Sequence, residues 1–217
     1  IIEAAKLSAL NGCGSSPHCY GLAVLDDSPG FLPLAIVMEL IGEPSSCQTW
    51  TLADLLDALA KDPRGLPMPN WPEFCLRLTN KLDRAHQRGI ILNDIKTDNI
   101  MLRWTGVTWH PVLVDVGNAC YRDRRVSYAV ARGSEEEVLR KYPQLAPETV
   151  WQNRCTEKSD IFSLGLVFSH VSRYSKSKVY LGNIASRCRA VRPDERPDID
   201  MLKMALQHMT LHGPLDA

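Results

Sequence analysis

No stretch of this chain approaches the ~18 consecutive apolar residues that a membrane-spanning helix needs. Its most apolar run, Phe31–Met38, is strand-sized and broken by Pro33. Cysteine is never arranged as CxxC: the seven residues Cys13, Cys19, Cys47, Cys75, Cys120, Cys155 and Cys188 are scattered and odd in number. That pattern argues against a disulfide framework and for reduced thiols in a cytoplasmic or nuclear compartment. Cys13, His18 and Cys19 offer three zinc-type ligands, but no second pair follows to complete the usual four. An excess of one charge is also missing, with 25 basic residues against 25 acidic, which argues against a dedicated nucleic-acid binder. Internal repeats, low-complexity tracts and a basic-then-apolar leader are absent from the sequence. What is present is 217 residues at 45% hydrophobic content, enough to bury a core as one domain or as one large lobe plus part of a second. The chain opens without Met and inside an apparent helix, IIEAAKLSAL, so we expect a segment of a longer protein.

Periodicity sets out the elements. Ile2, Leu7 and Leu10 predict an amphipathic helix over 1–10, ended by Asn11, Gly12 and Gly14. Two strand-like runs follow, Cys19–Leu25 and Leu34–Leu40, joined by the turn-rich DDSPG at Asp26–Gly30. After a polar break at Gly42–Gln48, Thr51 and Asp54 have capping-box spacing ahead of Leu55, Leu56 and Leu59. Asn70 and Glu73 repeat that spacing before a helix whose buried face is Cys75, Leu78, Leu82 and Ala85, ending near Gly89. Short strands are expected at Ile100–Leu102 and Val112–Val114. The stretch Asn118–Leu145 is too polar and too long for a routine connection and reads as a functional loop. Asp160–Val171 is apolar all round, as in a helix buried on every side. Shorter helices are expected at Ile184–Val191 and Ile199–Met209. We therefore expect an α+β fold, with a small strand-bearing piece, a hinge near Gly42 and a mainly helical remainder.

Chemistry is concentrated in LNDIKTDNIML, Leu92–Leu102, and in LVDVG, Leu113–Gly117. The first string places Asp94, Lys96 and Asn99 on one tight turn. The second sets Asp115 at the end of an apolar strand, followed by Gly117, which frees the backbone to turn. Polar turns carry Asp and Asn for conformational reasons alone. Both motifs in this order carry more weight than either one. Downstream stand LAPETV (Leu145–Val150), KSDIFSLG (Lys158–Gly165) and DERPDIDML (Asp194–Leu202).

Taken together these strings resemble the protein kinase family, and the resemblance runs from Glu3 to the last helix. It implies a protein-kinase-like α+β fold, with residues 1–42 as part of the small lobe and 43–217 as the helical lobe. It implies transfer of the ATP γ-phosphate to a protein Ser or Thr hydroxyl, with Mg2+. Asp94 then orients the acceptor hydroxyl and takes its proton, and Lys96 meets the transferring phosphate. Asn99 and Asp115 hold the metal, and Val116 packs where the family usually has Phe. Asp160 anchors the backbone of the catalytic turn, and Glu148 pairs with Arg196. Glu3 is the regulatory-helix carboxylate. Met38 is the gatekeeper, the backbone of Glu39 and Ile41 faces the adenine, and Met101 lies beneath it.

The chain departs from the family in two ways. Leu92 and Asn93 stand where the family usually has His-Arg, which removes the usual docking site for an activation-loop phosphate. No Gly-rich loop and strand lysine precede Glu3 within these residues, so the segment by itself is expected to transfer little phosphate. Two other classes compete with an active protein kinase. One is a pseudokinase or kinase-like binding scaffold. The other is an aminoglycoside-type phosphotransferase, against which the LAPE and Arg-Pro motifs argue. A protein substrate and ATP are the expected partners, with neither nucleic acid nor membrane.

Overall fold

A computed structural model describes residues 1–24, 34–42, 48–122 and 133–212. The expected turn at Asp26–Gly30, most of the polar break before Gln48, Cys47 and the loop residues Ser127 and Tyr128 lie outside these.

The architecture is α+β. Helix α1 (Ile2–Leu10) precedes an antiparallel pair, β1 (Cys19–Val24) and β2 (Leu34–Met38), in which Leu22 stands opposite Ile36. Leu7, Leu10 and Cys19 belong to the same buried cluster as the helices that follow, so one apolar core runs through both parts. At the crossing between them a Cβ on Gly42 would collide with the Gln48 carbonyl, so only glycine fits there.

Helix α2 (Leu52–Lys61) starts on the expected capping box: Asp54 N–H donates to Thr51 Oγ1 at 3.1 Å, and Thr51 N–H donates to Asp54 Oδ2 at 2.9 Å. Helix α3 (Trp71–Gln87) keeps only half of that arrangement. Asn70 Oδ1 accepts from Glu73 N–H at 3.4 Å, but the Glu73 carboxylate turns along the helix to Arg77, 2.5 Å from Nη2. An ion pair one turn on outcompetes the return bond to the cap. The predicted apolar face of α3 is fully buried at Cys75, Leu78, Leu82 and Ala85.

Strand β3 (Ile90–Ile91) leads into the LND turn, and the hairpin β4 (Ile100–Trp104) and β5 (Trp109–Leu113) carries the chain to VDVG. The described parts of the polar stretch 118–145 hold regular structure that its composition does not announce. Within it β6 (Cys120–Tyr121) pairs with β3, and α4 (Glu135–Lys141) forms with three glutamates in its first turn and Arg140 and Lys141 in its last. Those charges complement the helix dipole. Helix α4 buries none of its residues, so no apolar period announces it.

Helix α5 (Pro147–Gln152) opens at the LAPE motif, and α6 (Glu157–Ser172) is the expected central helix, with Leu164, Phe168 and Val171 fully buried. Helix α7 (Lys178–Cys188) begins before the predicted Ile184 and stops before Val191. Its end is set from outside, because Arg196 donates to the carbonyls of Ala190 at 2.8 Å and Val191 at 3.0 Å and draws them from the helix. Gly165 lets α7 approach α6, since a Cβ there would stand 2.6 Å from the Cβ of Cys188. Helix α8 (Ile199–His212) packs on α3, with Lys203 Nζ 2.8 Å from Asp83 Oδ2. The six described cysteines are free thiols. Cys13 bonds the Leu10 carbonyl and Ser15 rather than His18 and Cys19, and no group of three metal-type ligands converges among the described residues. No described helix is long and apolar enough to cross a membrane.

Candidate functional site

Asp160, on the first turn of α6 and fully buried, organises the LND turn. Its Oδ2 accepts the Leu92 N–H at 2.8 Å and faces His86 Nε2 at 2.9 Å, while Oδ1 accepts the Asn93 N–H at 2.8 Å. Those bonds hold Asn93 at φ 64°, a left-handed conformation that Asn tolerates better than most residues. The sequence pointed to Asp160 as an anchor. It gave no sign of His86, which lies on the buried face of α3 and reads there as core.

The turn then aims Asp94 into a ring of donors. Its Oδ2 receives Lys96 Nζ at 3.1 Å, Asn99 Nδ2 at 3.1 Å and Asn118 Nδ2 at 3.3 Å. Its Oδ1 receives Gln144 Nε2 at 2.9 Å. Asp94, Lys96 and Asn99 were legible from their spacing. Asn118 and Gln144 were not: they reach the carboxylate from either end of the polar stretch, 24 and 50 residues away. Gln144 is itself fixed, its carbonyl taking the Ser163 hydroxyl of α6 at 2.6 Å.

The Asn99 side chain is oriented by its amide nitrogen. Its Nδ2 also donates to the Asp94 carbonyl at 2.9 Å, so its Oδ1 is turned away from Asp94 and stays available as an acceptor. The Val114 N–H donates to the Asn99 carbonyl at 3.0 Å, which brings the residue before Asp115 against this turn. Asp115 is exposed at φ 61°, and its Oδ1 accepts the Gly117 N–H at 3.0 Å, leaving the second oxygen to bind. The strained residue is thus Asp115 and not the glycine, contrary to the sequence expectation. At Gly117 a Cβ would sit 3.1 Å from Asp115 Oδ1, a tight contact that would press on that carboxylate. A carboxylate and an amide oxygen are hard donors that suit Mg2+, a cation that takes its remaining ligands from water and phosphate.

Val116 is buried as expected, and Lys6 of α1 donates to its carbonyl at 3.2 Å and to that of Gly117 at 2.8 Å. Lys6 is a contact that sequence reasoning missed. One turn earlier Glu3 is half-buried, its Oε2 3.9 Å from where a Gly117 Cβ would stand. Met38 ends β2 half-exposed, and Ile41 is buried. The Glu39 N–H donates to the His18 carbonyl at 2.8 Å, and its carboxylate meets Arg103 of β4 at 2.5 Å. Met101 is half-buried in β4, opposite Val112 and bridged to Thr51.

Beside the turn, Asn93 Nδ2 donates to the Asn118 carbonyl at 3.1 Å and to Cys120 Sγ at 3.4 Å. A hydrogen bond from Cys155, supported by that of Asn93, lowers the Cys120 thiol to about 7 against the opposing effect of burial. The same bond to Cys120, together with burial, pushes the Cys155 thiol up. Farther out, Arg196 and Glu148 form a bidentate pair, Nη1 to Oε1 at 2.7 Å and Nη2 to Oε2 at 2.8 Å, both side chains buried. Ser159 Oγ adds a third bond to Glu148 at 2.8 Å.

Known proteins match more than half of this chain. The family model of the protein kinase domain matches residues 34–197. The chain is 34% identical over 119 residues to the L-type lectin-domain containing receptor kinase VIII.2 of Arabidopsis thaliana, covering 52% of this chain and 15% of that protein. It is 29% identical over 143 residues to the eukaryotic translation initiation factor 2-alpha kinase pek-1 of Caenorhabditis elegans, covering 62% of this chain and 12% of that protein. It is 28% identical over 155 residues to the serine/threonine-protein kinase US3 of human herpesvirus 1, covering 70% of this chain and 30% of that protein. The chain thus spans well under two thirds of the length of these relatives.

Proposed function

The chain belongs to the protein kinase domain family, and from that premise we propose that it is the core of an active kinase transferring the ATP γ-phosphate to a protein Ser or Thr hydroxyl. The observation that carries this reading is the convergence of Lys96, Asn99, Asn118 and Gln144 on the Asp94 carboxylate. Among the described residues Asp94 Oδ1 has a single donor, which leaves a lone pair to accept the acceptor's O–H. As the hydroxyl oxygen bonds to phosphorus and ADP leaves, the proton passes to Asp94. Lys96, held beside Asp94, faces the transferring phosphoryl group. Asn99 and Asp115 would hold magnesium, whose charge would offset that developing on the phosphoryl oxygens. Glu3 is the α1 carboxylate directed at this region. Met38 guards the back of the cleft, Glu39 and Ile41 present backbone to the adenine, and Met101 lies under it. Residues 1–42 and 43–217 serve as the two lobes. The choice of Ser and Thr rests on Lys96 two places after Asp94, and a relative named as a serine/threonine kinase supports it. We assign the protein to the cytoplasm or nucleus from its scattered thiols.

A second reading has its own observation. Each Asp94 oxygen already has a donor from the chain, and the Arg usual before Asp94 is Asn93, which favours a kinase-like binding scaffold. Phosphoamino-acid analysis separates the two. The full-length protein is given γ-labelled Mg-ATP and a peptide library with Ser, Thr and Tyr acceptors. Label on phosphoserine or phosphothreonine is the expected result. Label on phosphotyrosine alone would overturn the acceptor assignment, and no label with ATP bound would leave the scaffold.

A further inference from the structure

Helix α3 has two faces. Leu78, Leu82 and Ala85 enter the core. On the other face Arg77, Lys81 and Arg84 stand at i, i+4 and i+7, where like charges repel one another. With Asn80 of α3 and His110 and Pro111 of β5 they line a cavity of about 280 Å3. No carboxylate is among those six residues.

The nearby negative charge is already committed. Glu73 takes Arg77 Nε at 3.1 Å and Nη2 at 2.5 Å, and Glu39 takes Arg103. Among the described residues Lys81 and Arg84 meet carbonyls alone, Gly14 O at 2.5 Å and Cys13 O at 3.3 Å. A carbonyl satisfies a hydrogen bond without cancelling a charge. Four cations, Arg77, Lys81, Arg84 and Arg103, therefore face two carboxylates in a chain whose formal charge is zero. The strain registers in the proton affinities. Lys81 is lowered by burial and by Arg84 and Arg103, with Cys13 and Glu39 opposing, and His110 by burial and by Arg77, Lys81 and Arg103, with Glu73 opposing. Tethering the loop after α1 uses one donor each of Lys81 and Arg84 and leaves the rest of their N–H groups, and the whole of the excess charge, unaccounted for.

We propose that this cavity between α3 and β5 is a binding site for a phosphoryl group, borne by a small molecule or by a phosphorylated peptide. Guanidinium forks match phosphate oxygens bidentately, and an ammonium adds a point charge. The cavity is roomier than a lone carboxylate requires and holds a phosphoryl group with part of its carrier.

Calorimetric titration of the 217-residue chain tests this, with inorganic pyrophosphate in one arm. The other arm uses a phosphoserine peptide of otherwise neutral sequence, beside its unphosphorylated form. One or both phosphorylated probes bind, the arms telling free from peptide-borne phosphate. Affinity falls at least tenfold in Lys81→Gln and in Arg77→Gln. Arg77 touches no loop carbonyl, so its variant tests the site without loosening the α1 tether, and an unchanged thermal midpoint confirms folding. By NMR the His110 pKa rises when the probe binds, because the anion offsets Arg77 and Lys81. No binding of either probe at millimolar concentration, or equal affinity in both variants and the parent, would overturn the proposal.

Discussion

Asp94 is held by four side chains, of which two come from its own turn and two from the segment beyond VDVG. Among the described residues Gln144 is the one donor to Oδ1, the oxygen proposed to receive the acceptor's proton. A hydrogen bond to a charged group is worth about 1.5–3 kcal/mol, and about 1.4 kcal/mol corresponds to tenfold in rate. Gln144→Ala is thus expected to lower kcat by about tenfold or more with little change in nucleotide affinity, read by steady-state kinetics beside nucleotide titration. An unchanged kcat would remove Gln144 from the positioning of Asp94. Cys120 gives a second residue-level prediction. The thiolate is the reactive form, and the Cys120 thiol lies at about 7. Its alkylation by iodoacetamide, followed by peptide mass spectrometry, should rise to half its maximum near that pH. In Cys155→Ala the midpoint should move up, because the larger stabilising hydrogen bond is gone. A midpoint near the ordinary thiol value in the unaltered protein would contradict this. At this scale the sequence was legible where chemistry is local. Asp94, Lys96 and Asn99 announce themselves by spacing, whereas Gln144 and Asn118 acquire meaning only when the chain folds back.

The segment between VDVG and LAPE shows the same contrast among elements. Helix α2 was legible to its capping box because an apolar stripe and a local cap agree on where it starts. Helix α4, with none of its residues buried, was invisible to periodicity, and the end of α7 is imposed by Arg196, five to six residues farther along the chain. The same segment is tied to the LND turn by contacts of the chain itself. Asn93 bonds the Asn118 carbonyl and Cys120, β6 pairs with β3, and Arg122 reaches the His86 carbonyl at 2.8 Å and the Glu157 carboxylate. Arg124, Arg125 and Arg132 lie outside the described residues. Asn93 is uncharged and cannot supply the charge-assisted contact by which an arginine holds a phosphorylated loop. Turnover is therefore expected to survive phosphatase treatment, and to survive alanine substitution at Ser127, Tyr128 and Ser134. A collapse in rate after dephosphorylation would show that another cation holds a loop phosphate.

For the molecule as a whole, the pair Glu148–Arg196 links α5 to the turn before α8. Arg196 also caps the chain leaving α7 and lies over the Phe162 ring, 4.8 Å from its centroid. Removing one partner of a buried pair leaves the other charge uncompensated, at about 3–5 kcal/mol. Glu148→Ala is accordingly expected to lower the thermal midpoint sharply, and an unchanged midpoint would mean that the pair adds nothing to stability. The α+β class and the central helix were readable from patterns carried within single short strings, and this pair from two strings, LAPETV and DERPDIDML, through their resemblance to the protein kinase family. The single core spanning α1, β1 and the helices was not, since it depends on side chains from separate strings meeting. The account's central claim is that Asp94 takes the acceptor's proton during phosphoryl transfer. Its most direct test compares Asp94→Asn with the unaltered full-length protein, measuring kcat for peptide phosphorylation and Kd for Mg-ATP on the same preparations. The account predicts that kcat collapses while Kd stays within a few-fold, because Asp94 acts on the hydroxyl and not on the nucleotide. Equal turnover in the two proteins would contradict it.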